Sequence, residues 1–406
     1  MRQQTDSDDR PGDRQRARQV LTVLTLSRTA VAFQFQSVTP FFSSFHDTLL
    51  LSSTGFGLLL GLYMAPGALV ALASPRLTRS FGSMRILSYS LLLMGLGQIV
   101  LVLAPGQTVI FLARIVAGIG GCIVYIVAVD MVADLSDAGK ISSRMGIIAS
   151  SWPLGNAISL VLLGGMISAA MPMAAAYAPA VLAFGMTFVV ICIASNGTYA
   201  RQNPAFAWRP LTTTESDNAP KSICLNDWKE ALSGTMIPGI TFALYNVGFI
   251  VFSSFTPNLL ESQGYALSAA TTIGSMPMWI FVISVPTGGV LAGRSRLRDK
   301  WIVGIGCLGG ALCILLSYLF EEKIIWYILA GFLGGLPTGA MLSSTSHHRH
   351  RLFYPTLFLI FFVFLLFLPP LIGAFISMTG QIHHVLAYCI ALLIVAFFLF
   401  CKETSS

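Results

Sequence analysis

Charge is what this chain has least of. Only 10% of its 406 residues are Asp, Glu, Lys or Arg, 55% are hydrophobic and the mean hydropathy is +0.77, whereas soluble domains carry about 25% charge. A cytosolic enzyme is thereby excluded. Nor does the chain hold a polar stretch long enough to fold as a soluble domain. It has no G-x-x-x-x-G-K-[ST] loop to cradle nucleotide phosphates, so ATP is not expected as a partner. Its seven cysteines form no C-x-x-C pair and lie mostly inside apolar runs, where they read as small core hydrophobes rather than metal or redox groups. No paired acids or nucleophile–base set stands in or beside those runs, so neither enzymatic chemistry nor a cofactor is expected.

What the chain has is apolar runs, each long enough to cross a hydrocarbon core of about 30 Å as a helix. They fall at 18–43, 54–74, 84–104, 108–133, 143–168 and 171–195, then at 232–257, 268–293, 301–320, 324–345, 354–378 and 383–401. Twelve spans are expected, with short tails at 1–17 and 402–406. Of the 24 Lys and Arg residues, Arg28 and Arg114 lie within spans. Under strict alternation all the others except Lys323 fall on the side of the two termini, which the positive-inside rule makes cytoplasmic. The +7 net charge therefore belongs to membrane-flanking loops, and a nucleic-acid partner is not expected.

The longest polar stretch, 196–231, carries Pro204, Pro210 and Pro220 and reads as a cytoplasmic linker between two six-helix halves, 18–195 and 232–401. An internal repeat agrees: Phe35, Ser37, Thr39 and Pro40 recur as Phe252, Ser254, Thr256 and Pro257 at one fixed offset. Prolines also mark every third span, at Pro66, Pro153, Pro277 with Pro286, and Pro369 with Pro370, although Pro179, Pro238 and Pro337 depart from the pattern.

In this topology and in several motifs the chain resembles the major facilitator superfamily of secondary transporters. Leu77-Thr78-Arg79-Ser80-Phe81-Gly82-Ser83-Met84-Arg85 is similar to the family's loop motif between spans two and three, with Gly82 matching and Arg79 in place of the usual Asp. Arg114-Ile115-Val116-Ala117-Gly118-Ile119-Gly120 fits R-x-x-x-G-x-G in span four. Trp152-Pro153-Leu154-Gly155 resembles the Pro-Gly element of span five, and Pro286 to Arg294 the second-half copy of the loop motif. The wording of 32–38, 131–134 and 151–155 resembles the bacterial branch of cyanate and nitroimidazole permeases. One departure is His347-His348-Arg349-His350-Arg351, which runs straight into the Phe-rich eleventh span; we read it as a solvated basic loop rather than a metal site. The resemblance implies an all-α membrane protein of two pseudo-symmetric six-helix bundles. It implies a monomer in a bacterial inner membrane, partnered by the bilayer and a small-molecule substrate.

Arg28 is the most informative residue. About 1.5 Å per residue from Arg18 puts it roughly 15 Å deep, near the midplane, where a charge costs at least ~2.5 to 3.5 kcal/mol and needs a compensating group. Ala32, Phe35 and Thr39 share its face and Gln36 flanks it, while Trp152 and Asn156 in span five are candidate site residues; the alternative is a structural arginine bonded to helix carbonyls or to a span-five partner such as Asn156. The repeat sets Arg28 against Tyr245, beside Asn246. In resemblance to the organophosphate antiporters, which hold a dianion between two arginines, one Arg and one phenol imply a monoanion or a neutral polar ligand. The family position of Arg114 implies coupling or cavity electrostatics, with helix packing as the alternative. Asp130 and Asp134 are expected to pair with Arg76, Arg79 or Arg85, near Gly82, as a cytoplasmic gate, with a proton-carrying role as the alternative for Asp130. The leading function is transport of a small organic or inorganic anion by alternating access. The aromatic content, with 28 Phe, leaves a drug exporter as an alternative. The altered motifs leave a transporter-like sensor.

Overall fold

The structure is a computed structural model that describes residues 11–134, 141–195, 225–291, 296–344 and 353–403, all of them in helices or short connections. The first set comprises α1 (Pro11–Gln36), a 3-10 turn (Thr39–Phe41), α2 (Phe42–Leu49), α3 (Ser53–Met64), α4 (Gly67–Phe81), α5 (Ser83–Val102), α6 (Gln107–Asp134), α7 (Ile141–Ser168) and α8 (Pro172–Ser195). The second comprises α9 (Leu225–Ser262), α10 (Leu267–Leu291), α11 (Arg296–Leu319), α12 (Lys323–Ser344), α13 (Phe353–Thr379) and α14 (His384–Glu403). Among the described residues, ten helices are long and apolar enough to cross a membrane, and α12 adds a shorter apolar stretch at Lys323–Thr338. The first helix, α1, contains Arg28 and a polar opening turn.

Local chemistry explains where the helices start and stop. Proline has no N–H and disfavours helical geometry in the residue before it, so the first apolar run breaks ahead of Pro40 instead of continuing to residue 43. The second run divides in the same way at Pro66, which caps α4. Ser52 caps α3 by accepting a hydrogen bond from the Gly55 N–H (3.2 Å). At the junction of α4 and α5, Gly82 sits at φ 82°, a conformation that side chains disfavour, which gives the loop motif's glycine a backbone reason. Two helices start ahead of the apolar runs, α1 at Pro11 rather than 18 and α9 at Leu225 rather than 232. Hydropathy cannot see such polar opening turns.

The two sets of helices meet chiefly along two seams, α7 on α10 and α3 on α13. Small residues make both approaches possible. A Cβ at Gly57 would strike the Pro369 carbonyl, one at Gly61 would come within 2.6 Å of the Leu366 oxygen, and one at Gly164 would meet the Thr271 hydroxyl. Within the first set α5 packs on α6 and α8, and α1 on α7. Within the second, α9 packs on α13 and α14, and α12 on α10 and α11.

Candidate functional site

At the end that carries α2, the seams are closed by polar and aromatic contacts. Gln36 donates from Nε2 to the Ser253 carbonyl (3.4 Å) and accepts from the Ser254 hydroxyl (3.1 Å), tying the end of α1 to α9. Beside it Phe56 meets Phe255 edge-on at 5.0 Å. Further out Ser43 donates to Glu261 (3.3 Å), and Thr54 and Ser377 share a hydrogen bond across α3 and α13 (3.3 Å). Gln36, a candidate ligand residue by sequence, therefore belongs to the closure and does not line the cavity beneath it.

Away from α2 the two sets part around a cavity of about 170 Å3. The first set contributes Arg28 from α1, Tyr125, Val129 and Asp130 from α6, and Met145, Ile148, Ala149, Trp152 and Pro153 from α7. The second contributes Phe242, Asn246, Phe249 and Ile250 from α9, Met278, Phe281 and Val285 from α10, Thr338 from α12, and Phe358 and Phe361 from α13. Four of the residues singled out by sequence, Arg28, Asp130, Trp152 and Asn246, thus share one cavity.

Arg28 is only 4% exposed. Its Nη1 donates to the Ile148 carbonyl (2.8 Å), and its Cζ lies 3.9 Å from the centre of the Tyr125 ring. That cation–π contact compensates part of the cost of a buried charge. The Nε–H is buried without a partner. Tyr125 is in turn met edge-on by Trp152 (5.7 Å) and Phe358 (5.6 Å), so the cation stands in an aromatic frame built from both sets of helices.

Two other expected neighbours of Arg28 are engaged elsewhere. Asn156 is fully buried between the Ala32 carbonyl and the Trp152 indole; with its amide turned so that both are satisfied, its nitrogen donates to Ala32 (2.9 Å) and its oxygen accepts from the indole (3.1 Å). It holds the cavity's tryptophan in place from behind. Tyr245 donates its hydroxyl to the Gly334 carbonyl and meets the cavity-lining Thr338 Oγ1 at 3.2 Å, which ties α9 to α12; Tyr245 itself does not line the cavity. Asn246, one residue on, faces the cavity while bonding the Phe242 carbonyl (2.8 Å).

Arg114 is fully buried and lies outside the cavity lining. It donates to the carbonyls of Leu59 (3.0 Å), Gln34 (3.0 Å) and Phe35 (2.8 Å), and its Cζ sits 4.4 Å from the Tyr63 ring centre. These bonds clamp the end of α1 to α3 and α6, beside Ser37, whose N–H and hydroxyl also donate to the Gln34 carbonyl. Gly118 and Gly121 on the same face of α6 leave no space for a side chain beside Tyr63. The gate residues are only partly visible. Gly82 forms the α4–α5 turn and Arg85 opens α5, but the side chains of Arg79 and Asp134 lie outside the described residues, as does the histidine-rich run at 347–351.

Sequence reasoning passed over Tyr125, Phe242, Phe281, Phe358 and Thr338. Tyr125 was within reach: it falls eleven residues after Arg114, about three helical turns along the stripe that includes Gly118 and Gly121. The Phe residues carry no such signal in a chain where Phe is common.

Helices long and apolar enough to cross a membrane, packed in two sets around a cavity, define a multi-pass membrane protein. A model of the Major Facilitator Superfamily matches residues 24–352, and the chain belongs to that superfamily. Among solved structures it is similar to a bacterial homolog of the human lysosomal transporter Spinster, in an inward-facing and unoccupied conformation. The TM-score is 0.68 and the identity 14%, over 96% of this chain and 97% of that one. At that identity the likeness is one of fold. No curated protein matches the sequence. The protein is an integral, multi-pass membrane protein of a transporter family.

Proposed function

We propose that the protein is a secondary or facilitative transporter that moves a small organic or inorganic anion by alternating access, with Arg28 as the anion-binding cation. The observation that carries this reading is Arg28 itself. It is a buried guanidinium at the wall of a cavity between two sets of helices, and among the described residues it makes one hydrogen bond to the protein. Sites at the interface of two repeats, near the midplane, are where transporters of this kind hold solutes. Trp152 and Asn246 line the site; Tyr245, Asn156 and Gln36 hold its walls and its closed end. Asp130 sits at the cavity's edge, four residues from the end of α6.

In this reading twelve spans form two six-helix bundles, 18–195 and 232–401, with both termini and the 196–231 linker in the cytoplasm and the α2 end outside. The structure is then the inward-facing state, closed outside by the Gln36 and Phe56 contacts. Arg114 sets the angle of α1 to α3 and so acts on gating through packing. Asp134 with Arg79 and Arg85 forms the cytoplasmic gate. The protein works as a monomer in a bacterial inner membrane, without cofactor or ATP. Flux of labelled anions into vesicles containing purified protein tests the proposal: saturable, Arg28-dependent uptake supports it. The aromatic walls favour one second reading, an exporter of flat apolar compounds; saturable efflux of neutral aromatic dyes that is indifferent to Arg28 would establish that instead.

A further inference from the structure

Ser254, Asn258 and Glu261 stand at i, i+4 and i+7 on α9 and so share one face of that helix. The first and last of them reach across the seam. The Ser254 hydroxyl donates to the Gln36 side chain at the end of α1 (3.1 Å), and Glu261 accepts from the Ser43 hydroxyl of α2 (3.3 Å). Asn258 stands between these two contacts and is only 5% exposed, yet among the described residues neither its amide oxygen nor its amide nitrogen has a hydrogen-bond partner. By contrast Asn156 and Asn246 both find carbonyl partners.

The position of Asn258 ties its missing partners to the closure. It borders a vestibule at the α2 end that Ser43 and Ser52 line from one set of helices and Glu261 and Ser377 from the other. Both amide atoms are buried and shut off from that space. A primary amide has two N–H donors and an acceptor oxygen, and a buried group that leaves them unpaired forfeits its hydration without return. That penalty belongs to the closed arrangement alone, because parting α9 from α1 and α2 would bring water to the face that holds the amide. The same face of α9 therefore carries two contacts that hold the end shut and, between them, one group that opposes them.

We propose that Asn258 is a built-in destabiliser of the closed α2 end: an amide left unpaired when α9 closes on α1 and α2 and hydrated when they part, which keeps the closure shallow enough to reopen. This rests on the reading of the α2 end as a gate, and holds whatever solute the protein carries.

The test is pulsed-EPR distance measurement on full-length protein in lipid nanodiscs, joined to thermal unfolding. Nitroxide labels go on Thr48→Cys in α2 and Gln263→Cys beyond α9, in a background freed of other reactive cysteines. Wild type at position 258 should give a short, closed distance and a longer, open one. Asn258→Leu, of similar size but without polar atoms, should lower the open-to-closed ratio at least about 5-fold, the low end for one buried unpaired group, and raise the unfolding midpoint. Ser254→Ala, on the same face, loses a partnered group instead and should move both readouts the other way. Asn258→Asp, of the same shape but with a charge costlier to bury, should raise the open share. An Asn258→Leu protein with an unchanged or lower midpoint, or with an open share above that of wild type, would overturn the proposal and leave the gate standing. A single closed distance in wild type, Ser254→Ala and Asn258→Asp alike would overturn it together with the reading of this end as a gate.

Discussion

The guanidinium of Arg28, on α1, lies over the ring of Tyr125, on α6, with 3.9 Å between Cζ and the ring centre. The pair joins a buried charge to the aromatic frame of the cavity, and through Trp152 and Phe358 to both sets of helices. If Tyr125 is what orients the cation, Tyr125→Phe should leave anion affinity within about twofold, since the quadrupole is retained. Tyr125→Leu should reduce affinity by about 1 to 2 kcal/mol, roughly 5- to 30-fold. Calorimetric titration of both variants checks this, and equal affinity in all three proteins would show that the stack is incidental.

Arg114 makes a contrasting prediction. Its three hydrogen bonds go to main-chain carbonyls, and none goes to the cavity. Arg114→Gln should cost on the order of 3 kcal/mol or more of stability, because three hydrogen bonds from a buried charged group are lost. Thermal unfolding in detergent should show a lowered midpoint while the surviving folded protein keeps its normal ligand affinity. A stable Arg114→Gln protein with altered affinity or coupling would move Arg114 into the transport machinery.

The closed end supplies a third test. Gln36→Leu removes the donor to the Ser253 carbonyl and the acceptor for the Ser254 hydroxyl. At about 1 kcal/mol for each net hydrogen bond, the open-outward population should rise several-fold. Reaction of an impermeant thiol reagent with Phe249→Cys, a cavity position, should accelerate accordingly from the outer face. Gly57→Val, which drives a side chain into the Pro369 carbonyl, should act in the same direction. If both leave the labelling rate unchanged, these contacts do not form the outer gate.

Topology is checked by labelling single cysteines in whole cells. Glu321→Cys and Gln381→Cys should react with an impermeant reagent from outside, and Ser216→Cys and His348→Cys only after the membrane is opened. Ser216→Cys reacting in intact cells would overturn the twelve-span arrangement with cytoplasmic termini.

Much of this architecture was legible in the sequence, because in a bilayer apolar runs and helices are nearly the same thing. The breaks at Pro40 and Pro66 were visible as prolines, but not the separate helix α2 that follows the first of them. Arg28 was legible for a simple reason: a charge in an apolar run must be compensated. Its partners were not, since a carbonyl such as that of Ile148 has no signature in the sequence and a tyrosine such as Tyr125 has many uses. The same limit applies to Asn156, Tyr245 and Gln36. Each is a polar residue in an apolar span, and sequence alone does not say whether such a residue serves a ligand, a neighbouring helix or the opposite half. The structure places these three against protein groups. Even the offset that pairs Arg28 with Tyr245 concerns backbone positions, and the two side chains point to different tasks.

The central claim, that this transporter holds its substrate's negative charge on Arg28, is tested most directly by counterflow in vesicles containing wild type or Arg28→Gln. The solutes are a panel of impermeant aryl and alkyl sulfonates and carboxylates. The account predicts that wild type exchanges at least one monoanion saturably, and that Arg28→Gln exchanges it at less than about one tenth of the rate, the loss expected when a desolvated charge pair loses one member. The variant's thermal unfolding should stay close to that of wild type. Exchange by Arg28→Gln at wild-type rate and affinity would contradict it.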